Sequence, residues 1–132
     1  MSEYVIGLDY GSDSARALVV DVVTGKCLAS SVKEYPRWKK GLYCNPKVNM
    51  WRQHPKDYLE VLEYIVTDAL SKCEAEVAPN VVGMAFDTTG STPALVAENG
   101  QPLAMLPEYS ENPNDVCPLE GSHRHGRGER NQ

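Results

Sequence analysis

Residues 4–21 read YVIGLDYGSDSARALVVD, which is two apolar segments separated by a short polar turn. Tyr4–Tyr10 is rich in residues that favour strands, and Arg16–Val23 repeats the pattern, so two buried strands are predicted. The pair Thr24-Gly25 then predicts a hairpin into a third strand, Lys26–Tyr35. The chain therefore begins with a predicted antiparallel unit of three strands.

A helix is predicted to start at Pro55, because a proline is well tolerated at the first helical position. Apolar residues then recur at helical spacing on one face, at Tyr58, Leu62, Ile65, Ala69 and Cys73. The helix should end near Cys73–Glu76, and Val81–Asp87 follows as a fourth strand. A strand reached through a helix predicts a parallel pair within the sheet.

Ala94–Ala97 and Gln101–Met105 flank the pair Asn99-Gly100, which is typical of a β-hairpin. We therefore predict an α/β fold with a mixed sheet of about five strands, a hairpin and one main helix. The segment Pro36–Pro46 is predicted to be a loop. Met84 and Met105 are expected in the core.

His54 directly precedes the proline that opens the predicted helix. We expect this histidine to be a local capping residue or a surface residue.

Composition limits the partners of the chain. Its 132 residues are enough for one domain with a core, and 42% of them are hydrophobic. The net charge of -5 disfavours nucleic acid as a partner, and no apolar run is long enough for a membrane span. The four cysteines are widely spaced and no signal peptide precedes them, so we expect reduced thiols and a cytoplasmic location.

The first candidate site is the turn after the first strand, Asp9-Tyr10-Gly11-Ser12-Asp13-Ser14, with Arg16 nearby. A carboxylate at a strand end can serve Mg²⁺, because Mg²⁺ prefers few carboxylates with waters and phosphates. Turn amides, serine hydroxyls and the Arg16 guanidinium suit phosphate oxygens. The alternative is a simple β-turn, since these residue types favour turns in any case.

The second candidate site is the segment from Asp87 to Ala94, DTTGSTPA, which also follows a buried strand. Small hydroxylated residues at a strand end can line a polar cleft for a small molecule. The alternative is an ordinary loop rich in serine and threonine.

The two motifs together resemble the FGGY carbohydrate kinases, which belong to the actin-like (ribonuclease H-like) ATPase superfamily. IGLDYGSDSARALVVD is similar to the first phosphate motif of that family. DTTGSTPALV, with YPRWKKG, HPKDYLE and PEYSENPN, narrows the resemblance to its L-ribulokinase branch. It extends from about residue 4 to residue 115, and TTGSTPA disfavours the other ATPases of the superfamily.

The resemblance implies a role for each matched residue. Asp9 would be the carboxylate that serves the Mg²⁺ of Mg-ATP, and Arg16 would lie near the transferred phosphoryl group. The phosphate loop would consist of Gly11, Ser12, Asp13 and Ser14. The pocket for a ketopentose would be lined by Ser91, Thr92 and Ala94, in a turn shaped by Asp87 and Gly90.

The resemblance also implies a reaction, in which a ketopentose such as ribulose receives the γ-phosphoryl group of ATP. No residue of this chain matches the family's catalytic carboxylate or its second domain. We therefore expect the chain alone to be an inactive part of a sugar kinase. The alternative is a non-catalytic module that retains weak sugar or phosphate binding. Exposed apolar surface and free strand edges predict self-association.

The last sixteen residues differ in composition from residues 1–116, which match the first part of the kinase N-terminal domain. They carry three arginines and a single aliphatic residue, Leu119, and we expect a non-homologous, disordered tail. Codons for residues 120–125, shifted by one letter, can spell the Trp-Lys-Asp-His-Thr-Ala run of ribulokinases. We therefore predict a frameshift product from about Glu120 onward, which the coding DNA tests. A weaker alternative is Zn²⁺ or Ni²⁺ binding by Cys117, His123 and His125.

Overall fold

The computed structural model describes residues 2–90 and 92–110, together with the backbone of residues 117–118. The chain divides into two compact units. One consists of Met1–Tyr35 and Tyr58–Thr89, and the other of Pro36–Asp57 and Gly90–Gln132. The predicted tail, 117–132, lies outside the described residues except for that short backbone stretch, so its boundary stays a prediction.

The regular elements follow one another in the order strand, strand, strand, helix, strand, helix, strand, strand. They are β1 (Tyr4–Tyr10), β2 (Ser14–Asp21), β3 (Cys27–Glu34), α1 (Pro36–Lys39), β4 (Arg52–Gln53), α2 (Pro55–Ser71), β5 (Val81–Thr88) and β6 (Cys117–Pro118). Single turns of 3-10 helix occur at Pro46–Val48, Ala78–Asn80 and Leu103–Met105.

The first unit is a mixed sheet in the order β3-β2-β1-β5. β1 is antiparallel to β2 and parallel to β5, as the crossover through α2 predicts. Alternate residues of β1 are buried, namely Tyr4, Ile6, Leu8 and Tyr10. The helix buries Val61, Ile65 and Ala69, which recur every fourth residue and form one stripe. The hydroxyl of Tyr10 donates to the carbonyl of Tyr58 at 2.9 Å, so this face of β1 packs against α2.

The predicted α/β class, with a mixed sheet and one main helix, is confirmed. Among the described residues the main sheet has four strands, because the segment around Asn99-Gly100 forms a small separate hairpin. Its two arms meet in one isolated bridge, Val96 to Pro102, and the Ala97 amide donates to the Gln101 carbonyl at 2.8 Å. Gly100 has a φ of 84°, so glycine occupies the left-handed position that closes this turn.

Three local expectations differ from the structure. Met84 is 50% exposed, because β5 is an edge strand of the described sheet and the helix does not cover it. The buried helix stripe begins at Val61, which the predicted stripe omitted. The segment after Tyr35 begins with the short helix α1 instead of a loop.

In the second unit, Asp57 of the segment HPKDYLE binds Arg37 and Trp38 of the segment YPRWKKG. Asp57, whose side chain is fully buried, accepts from the Arg37 guanidinium at 2.6 Å. Its other carboxylate oxygen accepts from the backbone amides of Arg37 at 3.1 Å and Trp38 at 3.4 Å. The carboxylate therefore satisfies the first turn of α1, whose amides have no partner within the helix.

Candidate functional site

The sheet places Arg16, Asp9 and Asp87 in one row across three neighbouring strands. Asp9 on β1 is the register partner of Arg16 on β2 and of Asp87 on β5. All three side chains are exposed, and they share the sheet face opposite the one that α2 covers. The two candidate motifs of the sequence thus meet through their aspartates.

The row lies where the parallel strands end. β1 and β5 both finish at this edge of the sheet, and the amide of Thr89 donates to the carbonyl of Tyr10 at 3.2 Å just beyond them. Ligands of open α/β sheets bind outside the carboxyl ends of the strands, because loop residues converge there. Asp9, Arg16 and Asp87 line a shallow depression of about 320 Å³, with an apolar floor from Gly7, Leu18 and Ala85.

The row combines two carboxylates with one guanidinium. Two carboxylates in register on adjacent strands repel each other, since strands are only about 4.8 Å apart. In the described part of the chain, the side chains of Asp9, Asp87 and Arg16 make no hydrogen bond or ion pair. A divalent cation beside the aspartates would remove the repulsion, and Arg16 remains available for an anionic group.

The turn from Gly11 to Ser14 is tightly closed. The Gly11 amide donates to the Ser14 carbonyl at 2.9 Å, and the Ser14 hydroxyl donates to the Asp13 carboxylate at 2.9 Å. A Cβ on Gly11 would lie 3.2 Å from the Ser14 carbonyl oxygen, so only glycine fits without a shift. The Gly11 amide is therefore used within the turn, and the exposed Ser12 and Asp13 form its outer surface.

Tyr35 anchors this turn, and the sequence analysis missed it. Its hydroxyl donates to the Gly11 carbonyl at 2.9 Å, and its amide donates to the Asp13 carbonyl at 2.8 Å. Tyr35 is fully buried, and its ring packs against Tyr10 and Tyr58 at centroid distances of 6.4 Å and 5.6 Å. Burial also raises the pKa of Tyr10. The aromatic cluster of Tyr10, Tyr35 and Tyr58 is thus joined to the candidate phosphate turn through the hydroxyl of Tyr35.

The remaining predicted residues belong to the second unit. The Thr92 hydroxyl donates to the Gly90 carbonyl at 3.2 Å, which is a local contact within their own turn. Gly90 and Ala94 are exposed, and Ser91 lies outside the described residues. Their predicted role in a sugar pocket stays a prediction.

The described residues contain neither a cluster of metal ligands nor a helix that could span a membrane. No group of three or more His, Cys, Asp or Glu side chains there could hold a metal ion by itself. The side chains of the predicted set, Cys117, His123 and His125, lie outside the described residues. None of the described helices combines the length and the apolar character that crossing a membrane requires.

Comparison with curated proteins gives relatives over nearly the whole chain. A ribulokinase from Vibrio parahaemolyticus is 49% identical over 121 residues, which cover 92% of this chain. A ribulokinase from Halalkalibacterium halodurans is 36% identical over 124 residues, which cover 89% of it. The chain is related to the ribulokinases. It spans about a fifth of their length, 21% and 22% respectively. No protein-family model matches the chain.

Solved structures show the fold of the sugar kinases. A gluconate kinase from Lactobacillus acidophilus superposes with a TM-score of 0.60 at 21% identity, covering 76% of this chain and 18% of that one. A ligand-bound xylulose kinase from the same organism gives 0.59 at 21% identity, covering 75% and 18%. At this identity the likeness shows the fold alone. The predicted fold of a sugar kinase is thereby confirmed.

Proposed function

We propose that this chain is the nucleotide-phosphate-binding part of an ATP-dependent ribulokinase. The complete reaction would transfer the γ-phosphoryl group of ATP to the terminal hydroxyl of ribulose, giving ADP and ribulose 5-phosphate in pentose catabolism. Asp9 would serve Mg²⁺, and Arg16 with the Gly11–Ser14 turn would face the phosphates. Gly90, Ser91, Thr92 and Ala94 would contact or frame the ketopentose.

The row Arg16–Asp9–Asp87 carries this proposal. It combines one cation and two carboxylates at the carboxyl end of a parallel strand pair, beside a glycine turn held by a buried tyrosine. The ribulokinase relatives support the sugar, and the position of the row at the carboxyl ends of parallel strands, where ligands of open α/β sheets bind, supports the phosphates. Charge neutralisation and positioning are the main requirements of phosphoryl transfer, and these residues suit both tasks.

The residues fit Mg²⁺ without a dedicated protein cage. Mg²⁺ commonly takes one or two carboxylates and completes its shell with waters and phosphate oxygens. Asp9 and Asp87 are exposed and lack competing protein partners among the described residues, so both can face a hydrated ion. When bound, Mg²⁺ would neutralise phosphate charge, while Asp9 holds it and Arg16 orients the phosphate group.

Titration of the chain with Mg-ATP in a calorimeter tests the phosphate site. We expect weak, Mg²⁺-dependent binding, which Asp9→Asn weakens about tenfold or more, because the ion loses a charged ligand. Glu63→Gln is the matched control, since it removes one exposed carboxylate from the middle of α2. An equal loss of affinity in both variants would show a general charge effect and contradict the assignment of Asp9.

Turnover is a separate question from binding. We propose that the 132-residue chain, without the catalytic carboxylate of its relatives, does not phosphorylate ribulose. A coupled assay for ADP formation with ribulose and Mg-ATP tests this, and turnover by the purified chain would disprove it. Ribulose binding in the calorimeter without turnover would instead favour the alternative of a binding module.

We also propose a cytoplasmic location, where ATP and reduced thiols are available, and a small-molecule sugar as the partner instead of nucleic acid or membrane. Cys27, Cys44 and Cys73 are free thiols in the structure.

Self-association through β5 is expected at high protein concentration. Val82, Met84 and Phe86 are 60%, 50% and 58% exposed on this edge strand, and an apolar open edge favours pairing with a second chain. Size-exclusion chromatography with light scattering should therefore show mass that rises with concentration. Phe86→Lys should suppress this rise, because charge on an edge strand opposes pairing. A monomer at every concentration would contradict the expectation.

A further inference from the structure

His54 joins two separate segments of the second unit. His54 is buried, with 5% of the residue exposed. Nε2 lies 3.0 Å from the carbonyl oxygen of Ala104, and the backbone amide of Lys56 donates to Nδ1 at 3.1 Å. The Asp57 amide donates to the His54 carbonyl at 2.9 Å, so His54 occupies the capping position of α2.

These contacts fix the form of the imidazole. An amide donates to Nδ1, so Nδ1 must be an acceptor and the proton must lie on Nε2, from where it is donated to Ala104. The neutral ring with its proton on Nε2 satisfies both partners. A protonated ring carries a hydrogen on Nδ1 as well, which would point at the Lys56 amide.

The charges around His54 also favour the neutral ring. Burial lowers its pKa most, and the positive charge of Arg37 on α1 lowers it further. The Ala104 carbonyl and the Asp57 carboxylate oppose this shift, and Lys56 adds to it. Tyr43 packs against the ring at 5.4 Å and brings no charge at neutral pH. The start of a helix is itself positive, which disfavours an imidazolium there.

The Ala104 carbonyl, which contacts His54, lies one residue beyond the hydrogen bond between Leu103 and Leu95 at the open end of the hairpin. Leu103 donates to the Leu95 carbonyl at 2.9 Å, and Ala104, in the 3-10 turn that follows, is 1% exposed. We propose that neutral His54 is a positioning residue that clamps the hairpin 95–104 to the start of α2, and that protonation of its ring releases this hairpin. The inference goes beyond the proposed function and assumes no ligand.

The direction of the pH effect follows from linkage. With a pKa below the ordinary value of about 6.5, the folded chain binds fewer protons than the unfolded chain as pH falls through 6.5. The stabilisation is therefore complete above pH 6.5. It is lost progressively as the pH drops from there toward the lowered pKa of His54.

Nuclear magnetic resonance on the intact chain tests the clamp directly. The ring nitrogens of His54 should report the neutral form with its proton on Nε2 at pH 7.5. Amide exchange at Leu103 and Ala97 should accelerate at least about tenfold, beyond its intrinsic pH dependence, as the ring titrates, because one hydrogen-bond anchor is lost. A neutral ring protonated on Nδ1, or a ring that titrates without a change at Leu103, would overturn the proposal.

Two variants test separately the two hydrogen bonds of the His54 ring, one with the Lys56 amide and one with the Ala104 carbonyl. His54→Asn keeps a capping oxygen for the Lys56 amide and loses the donor to Ala104, so hairpin exchange should be fast and independent of pH beyond its intrinsic rate. His54→Gln can still reach the Ala104 carbonyl, so exchange should stay slow at Leu103 and lose its dependence on ring titration. The same pH response in His54→Asn as in the unmodified chain would also overturn the clamp. If a variant does not fold, the ring measurements on the unmodified chain decide the matter.

Discussion

Asp57→Ala is expected to lower the free energy of unfolding by about 3 kcal/mol, measured by urea denaturation. The carboxylate is fully buried and accepts three hydrogen bonds, one from the Arg37 guanidinium at 2.6 Å and two from α1 amides. Its removal leaves Arg37, whose side chain is 23% exposed, without its buried counter-charge. It also leaves two amides of α1 unsatisfied, which adds to the loss.

Asp68→Ala is the matched control for this change. Asp68 pairs with Lys72, four residues further along the chain and just beyond the end of α2, at the same distance of 2.6 Å, yet the two side chains are 31% and 50% exposed. Surface pairs of this kind contribute little, because solvent already screens the charges. Equal shifts of the denaturation midpoint for the two variants would show that burial of the Asp57 cluster is unimportant.

Asp57→Asn refines the measurement. An amide oxygen can still accept from the α1 backbone, while the charge opposite Arg37 is lost. We expect a loss smaller than that of Asp57→Ala, and the difference reports the share of the backbone hydrogen bonds.

The strands of the first unit were predictable because their segments are short, apolar and rich in residues that favour strands. In the structure Tyr4, Ile6, Leu8 and Tyr10 are buried and alternate with less buried neighbours, as in a strand with one covered face. The parallel pairing of β1 with β5 followed from the helix between them. Each of these strands carries an aspartate one residue before its end, and the parallel register is what brings Asp9 and Asp87 side by side.

The features that the sequence did not predict are set by parts of the chain that are distant in sequence. Met84 has the composition of a core residue, but its exposure is set by the position of β5 at the sheet edge. Nothing in the local sequence marks Tyr35 or Asp57 as structurally important. Their importance comes from Gly11, 24 residues away, and from Arg37, 20 residues away, and no local pattern encodes those pairings.

His54 is an intermediate case. Its place before Pro55 correctly predicted a capping role, which the contact with the Lys56 amide confirms. Its burial and its bond to Ala104, 50 residues away, were not predictable from that local signal.

Tyr35→Ala is expected to lower the free energy of unfolding by about 4 kcal/mol, because it empties the space of a fully buried aromatic ring. Tyr35→Phe should cost only about 1 kcal/mol, since the ring remains and one hydrogen bond to the Gly11 carbonyl is lost. Tyr64→Ala is the control, as Tyr64 is 45% exposed on α2 and contacts Lys33 at 4.5 Å. It should change stability far less than Tyr35→Ala.

Tyr35→Phe also tests how the core supports the candidate phosphate turn. The variant keeps the packing against Tyr10 and Tyr58, so the sheet should remain intact. The hydroxyl bond to Gly11 is lost, and the amide resonances of residues 11–14 should shift while those of α2 stay in place. If Mg-ATP binds at this turn, its affinity in Tyr35→Phe should fall several-fold, because the turn is less well held before binding. Unchanged resonances at Gly11 would mean that the ring packing alone fixes the turn, and the role given to the hydroxyl would be wrong.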